Sequence, residues 1–415
     1  MALPTGNQLH WADLELGMFV HFGPATWRAS ELDPGTMPVS AFDPDVDTDQ
    51  WAGVAADLGA RYVVLVAKHQ EGFCLWQTRT TDYGVRNAPW RRGAGDVMAD
   101  LAASCRRRGL GLGVYLSPRD DHLGAAVRGR CATPERQAAY DATYRRQLTE
   151  LLTRYGELVE VWFDGSIVVP VGDVLRSHAP RAMVFQGPQA TIRWVGNEDG
   201  FAPYPAWNAL PRRAAATGEA TARDGTPDGD AWLPDEVDVS IRRPRWFWSP
   251  TNAGNLLPLD ALLDIYYRSV GRGAQLLLNL PPDRTGRIPA ADARRARELG
   301  DEIRRRFGTP LAERAGAGRE VVLRPPAPAL VDHVVIEEDL AGGERVREYW
   351  LEGLAEGHWV PLGAGTAIGH KRIQPVPVLR LEALRLAVTR SAAAPRIRRL
   401  AAFATGSPPP ASWNG

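Results

Sequence analysis

A (β/α)8-like barrel followed by a C-terminal β-sandwich is the fold this sequence predicts, on three observations. Short apolar runs alternate with longer helical patterns through the first 310 residues. That alternation demands parallel strands covered by helices, and it runs too long for a small open sheet. After about Leu311 the pattern changes to short runs separated by Gly, Pro and Asp, as in an all-β sandwich.

The elements follow in order. LGMFVHFG (16–23) reads as the first strand, and DTDQWAGVAADLG (47–59) as a helix behind an Asp/Thr cap. RYVVLVAKH (61–69) is the second strand; the helix over 95–109 opens at Asp96 and closes at Gly109. LGLGVYLSP (110–118) is the third strand, and a long helix over 133–156 carries Pro134 in its first turn. VEVWFDG (159–165) is the fourth strand, 171–179 a short helix and AMVFQG (182–187) the fifth strand. A helix over 258–272, the strand AQLLLNLPP (274–282) and a helix over 290–306 complete the set. Strands six and seven have no clear pattern between 188 and 273, and RRAAATGEATARDGTPDGDA (212–231) reads as a mobile surface loop. The expected division is a barrel over 1–310, a sandwich over 311–406 and a flexible tail over 407–415.

Composition excludes several roles. The formal net charge is zero, from 49 basic and 49 acidic side chains, so nothing favours a nucleic acid or an anionic membrane as partner. No run of about 18 apolar residues is present to span a membrane. The start, MALPTGNQLH, lacks a basic and then apolar leader, and the three cysteines lack metal spacing. Both features suit the cytoplasm, a reducing compartment. The fourteen tryptophans suit either a carbohydrate surface or a large core.

The strands share an unusual ending. They stop at His21, at Lys68, His69 and Gln70, at Ser117, at Asp164, at Gln186 and at Asn279. In a barrel of this type active sites sit at the carboxyl ends of the strands, so the repetition points to one polar pocket. His21, His69 and Asp164 are a conceivable zinc set, yet no His-x-His or His-Glu-x-x-His spacing supports it. A serine nucleophile lacks its Gly-x-Ser-x-Gly elbow. Carboxylates remain, and glycoside hydrolysis needs two. Asp164 is one. WVGNEDGFAP (194–203) offers Glu198 and Asp199 among Trp194 and Phe201, where aromatic neighbours favour the protonated form a general acid needs.

GMFVHFG, RYVVLVAKHQEGFCLW, GLGVYLSP, VWFDG, WVGNEDG, DEVDVSI with WFW, and YYRSVGRGAQLLLNLPPDRTGRI together resemble the α-L-fucosidases of glycoside hydrolase family 29. The GNE loop, LLLNLPPDRTG, GERVREYWLEG and GTAIGHKRI resemble the branch acting on α-1,3/1,4-linked fucose. The resemblance implies a retaining glycosidase acting on a small-molecule glycoside or oligosaccharide; with no metal spacing at the strand ends and two carboxylates enough for acid/base work, no metal or cofactor is expected. It implies Asp164 as nucleophile and Glu198 as acid/base, with His21, His69, Gln70, Tyr115, Trp162, Glu236 and Trp248 around the sugar. Three places depart from the family pattern: Gln70 replaces a second histidine, Glu31-Leu32-Asp33 replaces Glu-Trp-Gly, and Arg119 replaces a tryptophan before Asp120. HLGAAVRGR (122–130) is also unlike the family's short loop. These departures point to a fucose-like deoxy sugar carried on a secondary metabolite; a transglycosidase and a non-hydrolytic sugar-binding protein are the alternatives.

Overall fold

The computed structural model describes residues 1–28 and 34–411. Eight parallel strands form the first sheet: β1 Leu16–Val20, β2 Tyr62–Lys68, β3 Gly111–Leu116, β4 Glu160–Trp162, β5 Met183–Phe185, β6 Arg193–Trp194, β7 Asp235–Ser240 and β8 Gln275–Asn279. They pair in the order β5-β4-β3-β2-β1-β8-β7-β6, and a parallel bridge between Phe185 and Ile192 joins the ends. The sheet is thereby a nearly closed barrel.

Alternation along each strand sorts the side chains. Phe19, Tyr62, Val64, Val66, Tyr115, Trp162 and Leu277 cluster together within the ring, while Met18, Val20, Val63, Leu65, Val114 and Leu276 join the larger core shared with the helices. Of the helices, α1 Gly6–Ala12 precedes β1 and contributes Trp11 to the inner cluster. The next two are α2 Thr48–Leu58 and α3 Val97–Arg108, capped as the sequence predicts. Asp47 accepts from Gln50 N and Asp96 from Ala99 N, and Gly59 and Gly109 close them at φ 87° and 65°. Then come α4 Pro134–Arg154, α5 Gly172–His178, α6 Arg212–Ala215, α7 Leu259–Arg268 and α8 Ala290–Phe307.

The two strands that the sequence left unplaced sit where the βα rhythm breaks. Residues 186–192 are too few for a helical crossover, which takes about a dozen. The chain reverses instead on Gln186 and Gly187, with φ 61° and 86°. Between β6 and β7, α6 and a two-stranded hairpin (Ala209–Leu210 with Ala231–Trp232) stand in for the usual helix. Residues 212–231 are therefore not a loose surface loop. Ala220 and Ala222 are buried, and a Cβ on Gly218 would come within 2.2 Å of the Gly187 carbonyl oxygen. The small residues that made this segment read as mobile let it pack against the β5–β6 turn.

After α8 two antiparallel four-stranded sheets face each other. One has the order β9 Ala312–Ala317, β16 Arg396–Phe403, β11 Ala329–Glu338, β14 Arg372–Leu381. The other is β10 Glu320–Leu323, β15 Ala383–Ser391, β12 Val346–Ala355, β13 His358–Gly365. Their inner faces enclose Val334, Ile336, Tyr349, Leu351, Leu386 and Leu400. Tyr267 Oη meets His333 Nε2 at 2.9 Å, and Ile373 packs against Gly271, so this unit buttresses the barrel beside α7.

Candidate active site

The carboxyl ends of the barrel strands open on a cavity of about 200 Å³. Its walls are Phe19, His21, His69, Gln70, Tyr115, Trp162, Asp164, Glu198, Asp238 and Trp246. It falls below the roughly 300–1,000 Å³ of drug-sized ligand sites, so it suits one small ring.

Asp164 stands two residues beyond β4 and is exposed. Phe163 N donates to Phe185 O at 3.1 Å. The chain then turns through Gly165 and Ser166, both left-handed at φ 72° and 71°. Glycine adopts that conformation freely; serine does so at a cost of about 1–3 kcal/mol. Gln186 Oε1 accepts from Ser166 N at 3.2 Å and steadies the turn. Tyr115 Oη donates to Asp164 Oδ2 at 3.1 Å. Burial and the Asp164 charge hold the Tyr115 phenol well above its usual value, so it stays a donor.

Glu198 lies on the loop after β6, between Gly196 at φ 95° and Gly200 at φ 88°. Asn197 organises that loop: its Oδ1 accepts from Asp199 N at 2.9 Å and its Nδ2 donates to Phe201 O at 2.9 Å. Asp199 pairs with Arg243. Trp246 Nε1 donates to Glu198 Oε2 at 3.2 Å, aiming the carboxylate into the cavity.

His21 is fixed from below. Asn279 Nδ2 donates to Ser240 Oγ at 3.0 Å and to Trp246 O at 2.8 Å. Its Oδ1 must therefore accept, and it lies 2.8 Å from His21 Nδ1. The proton sits on Nδ1, which leaves Nε2 as an acceptor. Burial, then repulsion from His69, pushes the His21 imidazole well below its usual value, so it is neutral. Asp238 is the third carboxyl of the cavity. Burial first, then the Glu198 charge, raises it well above the usual carboxylate range, against a 2.6 Å hydrogen bond from Trp194 Nε1.

Residues 37–306 match the family model described as alpha-L-fucosidase. The chain belongs to the α-L-fucosidase family. That family is one of glycoside hydrolases, and relatives extend over nearly the whole sequence. Alpha-L-fucosidase 1 of Arabidopsis thaliana is 34% identical over an alignment covering 97% of this chain and 88% of that protein. A glycoside hydrolase 29 family member from an unknown rumen bacterium is 34% identical, with a TM-score of 0.88, covering 97% of this chain and 77% of that one. A Ruminococcus gnavus GH29 fucosidase in complex with fucose is 27% identical, with a TM-score of 0.84, covering 97% and 95%.

In this α-L-fucosidase-family chain the cavity gathers seven of the nine residues that the sequence singled out: Asp164, Glu198, His21, His69, Gln70, Tyr115 and Trp162. Two lie outside its walls. Glu236 is fully buried below the cavity, beside Tyr62 and Glu160. The residue of β7 that reaches the cavity is Asp238, one step nearer the strand end on the same face. Trp248 instead lies 6.0 Å from the Arg284 guanidinium, and Trp246 forms the wall. The other strand-end residues serve as supports: Lys68 pairs with Asp120 at 2.8 Å, Ser117 donates to Arg119 O, and Gln186 and Asn279 act as above. Among the departures, Arg119 Nη1 donates to Gln70 Oε1 at 3.2 Å while Nε and Nη2 grip Asp121. Leu32 lies outside the described residues. Among those residues no group of three or more His, Cys, Asp or Glu side chains is arranged to hold a metal ion, and no helix is long and apolar enough to cross a membrane.

Proposed function

We propose that this protein is a retaining exo-glycosidase of α-L-fucosidase type, with Asp164 as nucleophile and Glu198 as general acid and base. One observation carries the reading: both carboxylates face a single small cavity, each held by one aromatic donor, Tyr115 on Asp164 and Trp246 on Glu198. Asp164 attacks the anomeric carbon as Glu198 protonates the departing oxygen, giving a glycosyl-aspartate and a free alcohol. Glu198, now a carboxylate, takes a proton from water; the water oxygen displaces Asp164 and the sugar leaves with its original anomeric configuration. Neutral His21 and Tyr115 supply fixed dipoles beside the ring without competing for the proton that Glu198 carries.

The substrate is a small-molecule glycoside of fucose or a fucose-like deoxy sugar, as on a secondary metabolite. The fucose-bound relative supports the sugar class. The Gln70–Arg119 contact supports a modified ring, because it places an amide and a guanidinium where the family pattern has an imidazole and an indole. Proton NMR of the first-formed product from an α-L-fucoside tests the mechanism: α-L-fucose should appear first, and initial β-anomer would refute it.

A further inference from the structure

The loops leaving β3 and β4 carry apolar side chains into solvent at the cavity mouth. Leu123 is 39% exposed, Val127 56% and Val168 41%. Scattered exposed valines are ordinary, so position must decide. Here Val127 Cγ1 lies 3.9 Å from where a Cβ on Gly165 would stand, and Gly165 directly follows Asp164. Val168 N donates to Arg128 O at 2.9 Å, which sets the second valine next to the first loop. Asp121 N donates to Gln70 O at 2.8 Å, and this brings the Leu123 turn beside a cavity wall. Val127 thus stands beside the Asp164 turn, with the Val168 and Leu123 loops bonded next to it and to the Gln70 wall.

The rim is also held in place. The Lys68–Asp120 pair anchors the start of the loop in the interior, with both side chains almost fully buried. Arg128 pairs with Glu219 at 2.5 Å, tying the loop to the segment after β6. Arg119 and Asp121 are likewise paired with each other. Lys68, Asp120, Arg119, Asp121, Arg128 and Glu219 are therefore already paired, and the side chains that stand out between them are Leu123, Val127 and Val168.

We propose that this rim is the leaving-group site, and that the aglycone it takes is an apolar alkyl or aryl alcohol. This deepens the glycosidase reading above and rests on it. The test uses one sugar with four leaving groups: α-L-fucosyl fluoride, methyl and octyl α-L-fucosides, and an α-1,3-linked fucosyl disaccharide. Each methylene fully covered is worth about a fourfold gain, so partial cover predicts a kcat/KM for the octyl glycoside at least ~10-fold above the methyl glycoside. It should also exceed that for the disaccharide. The double variant Val127→Ser with Val168→Ser should cut the octyl advantage about fivefold or more through KM, and leave fluoride hydrolysis and the melting temperature unchanged. Equal methyl and octyl rates, a preference for the disaccharide, or a variant that slows the fluoride as much as the octyl glycoside would each overturn the proposal. Failure of the wild type to hydrolyse the fluoride would overturn the catalytic reading, and this proposal with it.

Discussion

Two pairs of carboxyl groups face the barrel axis at different depths. The upper pair, Asp164 and Glu198, stands past the strand ends, exposed, each carboxylate meeting one aromatic donor. The lower pair, Glu160 and Glu236, lies within β4 and β7 and is fully buried. Glu160 accepts from Trp11 Nε1 at 2.9 Å and from Trp162 Nε1. Glu236 accepts from Tyr62 Oη at 3.2 Å on one oxygen, while its other oxygen meets no N–H or O–H donor and faces Glu160. Burial and the Glu160 charge hold the Glu236 carboxyl well above its usual value, so it keeps its proton and shares it with Glu160. Carboxyl groups four residues apart, Glu160 within β4 and Asp164 just beyond it, thus differ in surroundings. The upper pair is open to substrate and water. The lower pair is sealed, and its use is to fix Trp162, which stacks on Phe185 at 3.5 Å and walls the cavity above.

Replacing the upper nucleophile should have the largest effect. Asp164→Ala is expected to lower kcat/KM on an aryl fucoside by at least ~10³-fold with the melting temperature retained, because no other group replaces a covalent nucleophile. Glu198→Gln comes next. It should cost about 10²–10⁴-fold on substrates whose leaving group needs a proton, and far less on the fluoride, which leaves without one. Equal losses on both would remove Glu198 from the acid role.

The lower pair should answer in stability. Glu236→Ala removes a buried side chain and strands Tyr62, so it should destabilise by about 2–5 kcal/mol in denaturant melts while the folded fraction keeps activity within about tenfold. A loss of activity as large as that of Asp164→Ala, in a fully folded variant, would erase the distinction between the two depths. The pair also sets a pH trend. The folded state holds the Glu236 proton above the pH at which the unfolded chain, with its ordinary value of 4.5, releases it. The native state then binds more protons, so this group's contribution to stability is full below that value and falls as pH rises past it. Glu236→Gln should flatten the decline. The smallest change concerns Gln70: Gln70→His should raise turnover of a simple fucoside about threefold to tenfold if the Gln70–Arg119 contact is what disfavours plain fucose, and no change would return the site to an unmodified sugar.

The same depth explains what the sequence could tell. β1, β2, β3 and β8 are buried, mainly apolar runs, and the helices after β1 and β2 carry Asp caps and glycine stops, so these could be read directly. β6 is two residues long, and β7 carries Asp235, Glu236 and Asp238 where a strand of this kind is usually apolar, so neither could. Side-chain alternation puts Glu236 and Asp238 on one face, but no periodicity gives height along the barrel. For that reason the pattern names Glu236, while Asp238 is the β7 carboxyl that lines the cavity. In WFW, neighbouring rings on an irregular loop have no period to choose Trp246 over Trp248. The place of Asp164 on the cavity wall was legible because strand after strand ends on a polar side chain at the same end of the barrel.

The most direct test of the account is to trap the intermediate. Incubation with 2-deoxy-2-fluoro-α-L-fucosyl fluoride slows the second displacement, and mass spectrometry of the digested protein then locates the sugar. The expected label is on the peptide that contains Asp164. A label on Glu198 or Asp238, or turnover of natural glycosides with no covalent adduct on Asp164, would contradict it.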